Sequence, residues 1–258
     1  MPFTWLLPEV KRRLCQRSFE WDKALVGGPA IKLMPDYFNG LDWVRTGDHC
    51  AGVLQRINPQ ATRTTSGCPN NCGWCAVPKI YGRLNEFSEW PDLPIICDDN
   101  LLDASIEHFD KVIDRLVVHG WAEFNQGLDT RKLTDYHAIR LAEIKSPLVY
   151  LALDNMEYSE QWVCAYDRLR SAGITKKQLR SYALIGFRSD PAESWQRCNF
   201  IESFGVKALP SWYHRLDALE KNAVVKDHIE YGWTDYERRK IMQYFYWHKN
   251  AISYQGAI

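Results

Sequence analysis

From about residue 60 onward, short apolar runs rich in β-formers alternate with longer segments of helical period. That alternation restricts the chain to an α/β fold of parallel strands joined by crossover helices. Six strands are expected, over Ala61 to Ser66, Pro94 to Cys97, Trp121 to Asn125, Leu148 to Leu153, Arg180 to Gly186 and Gly205 to Leu209. Between the second and third, Ile106, Phe109, Ile113, Leu116 and Val117 recur at three- and four-residue spacing ahead of Gly120, which reads as a helix with its stop signal. Ser159 is expected to cap a helix carrying Trp162, Tyr166 and Leu169 that ends near Gly173. Asp190, Pro191 and Glu193 supply the cap, first-turn proline and capping-box acid of another, closed by Gly205. Thr234 and Glu237 form a further capping box ahead of Ile241, Tyr244, Phe245 and His248, a C-terminal helix outside the series.

The first 60 residues behave differently: KALVGGPA reads as a strand entering a glycine turn and LDWVRTGD as a second short strand, without full strand-helix alternation. The expected organisation is an N-terminal extension over 1–59, one main domain over 60–210 and a C-terminal helical region over 211–258. Lys+Arg and Asp+Glu both total 32, so global charge does not point to a polyanionic partner. The N-terminus lacks a basic start followed by a long apolar run, and nowhere do about 18 apolar residues follow one another, so no membrane association is expected. Eight cysteines without a signal peptide, three of them tightly clustered, fit a reducing cytoplasm better than a disulfide framework. Aromatic residues, at 13%, exceed what core packing needs, and some are expected to line a pocket.

TTSGCPNNCGWCAVP places Cys68, Cys72 and Cys75 in a Cys-x3-Cys-x2-Cys array directly after the first expected strand. Three thiolates so close in sequence can wrap one face of an iron-sulfur cube and leave its fourth iron without a protein ligand. A zinc knuckle is the competing account, and it needs a fourth ligand such as His49 or Cys97 from elsewhere. Cys15, Cys50, Cys97, Cys164 and Cys198 have no comparable spacing and read as structural.

With Trp74 just before the third cysteine, this segment resembles the signature of the radical S-adenosylmethionine (SAM) superfamily. The resemblance extends over roughly residues 60–210 and implies a partial (β/α)6 TIM-like barrel. It implies two cofactors, a 4Fe-4S cluster held by Cys68, Cys72 and Cys75 and SAM chelating the open iron, and a reductant such as flavodoxin or ferredoxin. Reductive cleavage of SAM then yields a 5′-deoxyadenosyl radical that abstracts hydrogen from a substrate.

In parallel barrels, ligands sit at the C-terminal ends of the strands. The groups there are Asp98, Asp99 and Asn100; Asn125, Gln126, Asp129 and Arg131; Asp154 and Asn155; and the segment ALIGFRSD at the fifth strand. By the resemblance, Asp98, Asn100, Gln126, Asp129 and Asp154 are candidates for the SAM ammonium and ribose, Arg131 for its carboxylate, and Trp74 for the adenine or the cluster. Against this, Arg131 and Asp129 fit equally a helix cap or a surface pair, and at least one of residues 98–100 fits a turn.

The extension looks like the closing part of a cobalamin-binding Rossmann domain, but 60 residues do not supply the sheet such a domain needs. Asp48 and His49 are adjacent, so the Asp-x-His-x-x-Gly motif is missing and cobalamin is not expected. Tyr, Trp and Phe interleave with Arg, Lys and His in KALPSWYHR and GWTDYERRKIMQYFYWHK. That composition suits either a nucleotide or nucleic-acid substrate or a helix burying its aromatics. The other readings left open are a cobalamin-dependent radical SAM methyltransferase and a non-catalytic iron-sulfur protein.

Overall fold

The computed structural model describes residues 3–17, 20–47 and 52–247. Asp48, His49, Cys50 and His248, each singled out above, lie outside the described residues. The chain packs as two compact units. One draws on Met1–Pro59, Gly67–Arg83 and His214–Ala223; the other draws on Gln60–Ser66, Leu84–Tyr213 and Val224–Ile258.

In the first unit, α1 (Leu7–Gln16) was not anticipated from the sequence. It buries Leu7 against Val26, Ala30, Ile31 and Phe38, with Val10 and Leu14 packed beside them. β1 (Ala24–Val26) and β2 (Val44–Thr46) pair in parallel, Ala24 opposite Val44. Parallel pairing requires a crossover, and α2 (Pro29–Leu33) with the 3-10 turn Pro35–Phe38 supplies it. Both expected strands form, and they are joined in one β-α-β crossover. Two short helices, α3 (Val53–Ile57) and α4 (Val77–Ile80), complete the unit.

The second unit opens with β3 (Ala61–Thr62) and β4 (Thr65–Ser66), where one continuous strand was expected. β4 turns away to pair antiparallel with β5 (Asn85–Glu86). There follow β6 (Ile95–Ile96), α5 (Ile106–His119), β7 (Trp121–Leu128), α6 (Asp135–Ala142), β8 (Ser146–Leu153) and α7 (Ser159–Ser171). β9 (Leu179–Ile185), α8 (Pro191–Ser203), β10 (Lys207–Trp212), α9 (Lys226–Glu230) and α10 (Asp235–Tyr246) end the unit. β3, β6, β7, β8, β9 and β10 form one sheet in chain order, every neighbouring pair parallel, with β3 and β10 at its two open edges. Strands laid down in chain order, with crossovers of one hand, put their helices on one face. This is the six-strand α/β arrangement of a partial TIM-like barrel.

Burial alternates along the strands with period two. Ala122, Phe124, Val149, Leu151, Leu153, Ser181, Ala183 and Ala208 are buried toward a core shared with α5, α7, α8 and α10. Glu123, Asn125, Tyr150, Arg180 and Tyr182 alternate with them and are only half-buried. An all-parallel sheet ordinarily buries both faces, and this second face is the more polar and less buried of the two. Several of the aromatics are core: Trp162, Trp233, Phe109 and Phe124 are fully buried, and Trp162 Nε1 donates to Ser181 Oγ at 2.9 Å.

Gly120 ends α5 at φ 75°, as expected, while Ser105, not anticipated from the sequence, caps its start by accepting the His108 amide on Oγ. Asp190 and Glu193 cap α8 reciprocally, each side chain accepting the other's amide. Of the box expected at α10 one half forms among the described residues: Thr234 Oγ1 accepts the Glu237 amide at 3.1 Å. Ser159 differs: it is the first residue of α7 rather than its cap. Asn155 starts that segment instead, accepting the Glu157 amide at the head of a 3-10 turn that runs into the helix.

Candidate functional site

The cysteine segment belongs to the first unit. Gly67 opens it at φ 83°, and a Cβ there would collide with the backbone carbonyl of Arg83, so only glycine lets the two ends of the loop approach. The Cys68 amide then donates to the Gly82 carbonyl at 3.1 Å and fastens the base. Within the loop, the Cys75 amide donates to the Cys72 carbonyl at 3.0 Å, and the Val77 amide donates to Cys75 Sγ at 3.4 Å. An amide aimed at sulfur stabilises negative charge on a thiolate. The loop leads into α4, which packs on α2, and Lys32 reaches the Ile80 carbonyl and lies 4.6 Å from the Tyr81 ring centroid. Cys68, Cys72, Cys75 and Trp74 are all half-buried, and none of the cysteines is in a disulfide. Among the described residues, no three His, Cys, Asp or Glu side chains converge on a point where one metal ion would sit. Three thiols on one short loop, with a backbone amide aimed at one of them, are a donor set of the chemistry an iron-sulfur cluster takes.

In the second unit, Asp98 and Gln126 come together. With Ile96, Leu101, Phe124 and Gly127 they line a shallow cleft at the C-terminal ends of β6 and β7. Their chemistry differs. Asp98 is buried, and burial pushes its carboxyl pKa up, against hydrogen bonds that lower it. Its Oδ1 accepts the Thr64 and Thr65 amides at 2.6 and 3.0 Å, and Oδ2 accepts the Thr64 hydroxyl, which also meets His108 Nε2 at 3.2 Å. Asp98 therefore clamps the bend between β3 and β4. Asp99 pairs with Arg63. Asn100 precedes the 3-10 turn Leu101–Asp103 and donates to Asp103 Oδ2, the turn role foreseen for one of the three.

Gln126 does not sit at a simple strand end. β7 continues to Leu128, and its register against β8 slips between Phe124 and Leu128, so residues 125–127 bulge out of the ladder. Gly127 makes the bulge at φ 88°, a left-handed conformation that a side chain would strain. The Gln126 side chain is exposed and donates to Asn125 Oδ1 at 3.1 Å. Asn125 is the hub: its Oδ1 also receives the Cys97 thiol, and its carbonyl accepts the Tyr182 hydroxyl at 2.7 Å. On the same sheet face, Tyr150 donates to Glu123 at 3.1 Å and stacks on Tyr182, ring centroids 5.4 Å apart.

Arg131 is held by its neighbour. Its Nε and Nη2 form a fork on the two oxygens of Asp129, at 2.8 and 2.7 Å, and its amide donates to the same carboxylate. Any carboxylate ligand of Arg131 competes with that pair. Asp154, directly after β8, has the opposite character. It is half-buried and makes no hydrogen bond among the described residues, and burial pushes its pKa up to about 6 against the attraction of Arg197 and Arg131. Unpartnered carboxylates with raised pKa values concentrate at functional sites. Arg197 itself went unnoticed in the sequence, because an arginine mid-helix carries no periodic or motif signal; it is buried, and its Nη1 donates to the Leu184 carbonyl.

Of the interleaved aromatics in the C-terminal segment, Trp233 and Phe245 are core, whereas Tyr231, Tyr236 and Trp247 are exposed. The charges among them are largely paired: Lys226 with Glu230, and Arg238 and Arg239 with Asp235. No helix among the described residues is long and apolar enough to cross a membrane.

The sequence matches no protein-family model and no curated protein. Among solved structures, it is similar to the radical S-adenosylmethionine methyltransferase TsrM from Kitasatospora setae, solved with cobalamin and a 4Fe-4S cluster bound. Identity is 13% and the TM-score 0.44, over 59% of this chain and 36% of that one, so this chain spans about a third of that protein's length.

Proposed function

We propose that this chain is a radical SAM enzyme, in which Cys68, Cys72 and Cys75 hold a 4Fe-4S cluster and strand-end groups of the parallel sheet receive S-adenosylmethionine. One observation carries the reading. The Cys-x3-Cys-x2-Cys segment, with Trp74 before its third cysteine, follows the first strand of a six-stranded parallel sheet laid down in chain order. When bound there, the cluster supplies the electron that splits the sulfonium carbon-sulfur bond of SAM, giving methionine and a 5′-deoxyadenosyl radical.

The chain's own residues bind, orient and shield. Gly67 and the Cys68 amide close the loop at Gly82 and Arg83. The Val77 amide supports the Cys75 sulfur. Asp154, with no competing hydrogen bond among the described residues, is the carboxylate most available to a ligand ammonium or ribose hydroxyl. Gln126 offers an amide from the β7 bulge. The half-buried face carrying Glu123, Tyr150 and Tyr182 suits a substrate that stacks and donates a hydrogen bond. A flavodoxin or ferredoxin is the proposed electron donor.

Anaerobic reconstitution tests this directly. About four irons per chain are expected, together with slow release of 5′-deoxyadenosine from SAM under dithionite. Cys68→Ala, Cys72→Ala and Cys75→Ala each abolish the cluster, whereas Cys97→Ser keeps it. Trp74→Ala lowers SAM affinity more than iron content. Wild-type iron in Cys68→Ala, or no 5′-deoxyadenosine above a SAM-only control, would overturn the assignment.

A further inference from the structure

We propose that the ends of β9 and β10, together with α8 and α10, enclose a second site, separate from the cysteine loop, that takes a small tetrahedral oxyanion of the phosphate class. Ser189, Ser194, Arg197, Trp212 and Arg238 are each no more than 8% exposed. Each nevertheless carries a polar atom without a hydrogen-bond partner among the described residues: the two serine Oγ atoms, both arginine Nε atoms and the tryptophan Nε1. Buried polar groups are almost always satisfied, so a group of five calls for an explanation.

Ring contacts, hydrogen bonds and strand register bring these residues to the same end of the sheet. Trp212 ends β10, and the Arg238 guanidinium carbon lies 6.0 Å from its ring centroid. Trp233 meets the Trp212 ring edge-on at 4.9 Å and donates from Nε1 to the Ser189 carbonyl at 2.7 Å. Arg197 reaches the Leu184 carbonyl, and Leu184 pairs in register with Ser211, the residue before Trp212. Ser194 stands three residues before Arg197 and shares its helix face. Gly186 fixes the ring: its φ is 85°, and a Cβ there would lie 2.6 Å from Trp212.

The chemistry selects an anion over water. Arginine Nε and tryptophan Nε1 only donate, so the missing partner is rich in acceptors. Charge matters more. Arg238 contacts Asp235 at 2.6 Å, whereas Asp154 and Glu193 act on Arg197 only through space. Water satisfies the donors but leaves the buried Arg197 guanidinium without a directly hydrogen-bonded counter-ion among the described residues. A flat carboxylate offers two oxygens. A tetrahedral oxyanion offers up to four, suited to donors arriving from a strand end, a loop and two helices.

Free phosphate and the phosphate of a nucleotide share this chemistry, and calorimetry on the full chain separates them. Inorganic phosphate, adenosine 5′-monophosphate and sodium chloride of matched ionic strength are titrated in turn. Saturable binding of phosphate or of the nucleotide is expected, the tighter of the two identifying the source. Arg197→Met and Arg238→Met each weaken it about tenfold or more, and Trp212→Phe, which keeps the ring and removes one N–H, weakens it several-fold. In phosphate-free buffer Arg197→Met, which keeps the aliphatic stem, should still unfold cooperatively in thermal denaturation; a loss of binding is then not misfolding. If that variant does not fold, Trp212→Phe carries the test. No saturable response beyond sodium chloride, wild-type affinity in the variants, or a crystal structure in phosphate with only waters at these atoms would each overturn the proposal.

Discussion

Two carboxylates at strand ends of one sheet differ in a way that their sequence contexts, CDDN and LDNM, do not disclose. Asp98 is saturated by Thr64 and Thr65, whereas Asp154 makes no hydrogen bond among the described residues. Both are pushed toward the neutral form chiefly by burial. For Asp154, the consequence for stability has a definite sign. Its folded pKa, about 6, lies above an unfolded value of about 4, so the native state binds the proton more tightly. Stability from this group therefore falls as pH rises through that window, and the penalty is complete above it. Asp154→Asn should raise the urea midpoint at pH 7.5, leave it unchanged below pH of about 4, and weaken SAM binding. An unchanged midpoint at pH 7.5 would mean that the carboxylate is compensated. Sequence reasoning found both acids because strand ends are predictable, but which acid is already occupied depends on partners 33 and 34 residues away.

At the scale of elements, what local chemistry determines was readable and what tertiary register determines was not. Asp190, Pro191 and Glu193 announce α8 because a cap is satisfied within four residues. Asp190→Ala should lower stability by about 1 kcal/mol in chemical denaturation, the usual magnitude for losing such a cap, with iron content untouched. The β7 bulge left no comparable signal. Gly127 looks like any turn glycine until Leu128 is seen to pair with Leu151 two places short of its expected partner. The split between β3 and β4 was hidden likewise, since the Asp98 clamp that produces it comes from another strand. Gly67 is the element-level residue with the sharpest consequence. Gly67→Ala sets a methyl against the Arg83 carbonyl at a left-handed φ. The cysteine loop should then close poorly, and reconstituted iron should fall well below wild type although Cys68, Cys72 and Cys75 are intact. Full iron loading in Gly67→Ala would mean that the loop ends separate freely without affecting the ligands.

For the molecule as a whole, strand-helix alternation predicted the sheet correctly because each strand is apolar on one face and each crossover helix repeats the matching stripe. How distant segments group together is not written in such periodicities. Gly67–Arg83 and His214–Ala223 cluster with the N-terminal segment, although they flank the sheet strands in sequence. If the cysteine loop holds a cluster as proposed, this grouping makes the effect of its binding local. Metal binding stabilises the conformation that presents the ligands, and that conformation is held by Gly67 against Arg83 and by α4 against α2. The β8 to α7 to β9 core is built from Val149, Leu151, Trp162, Leu169 and Leu179, none of which comes from the first unit. Hydrogen exchange with and without reconstituted cluster distinguishes the two. Loading should slow exchange across Gly67–Arg83 and in α2 by an order of magnitude or more, and leave amides of β8, α7 and β9 within error of the iron-free protein. Uniform protection of both units would show that the loop and the sheet open as one cooperative body. Protection confined to the sheet would place the iron elsewhere than Cys68, Cys72 and Cys75.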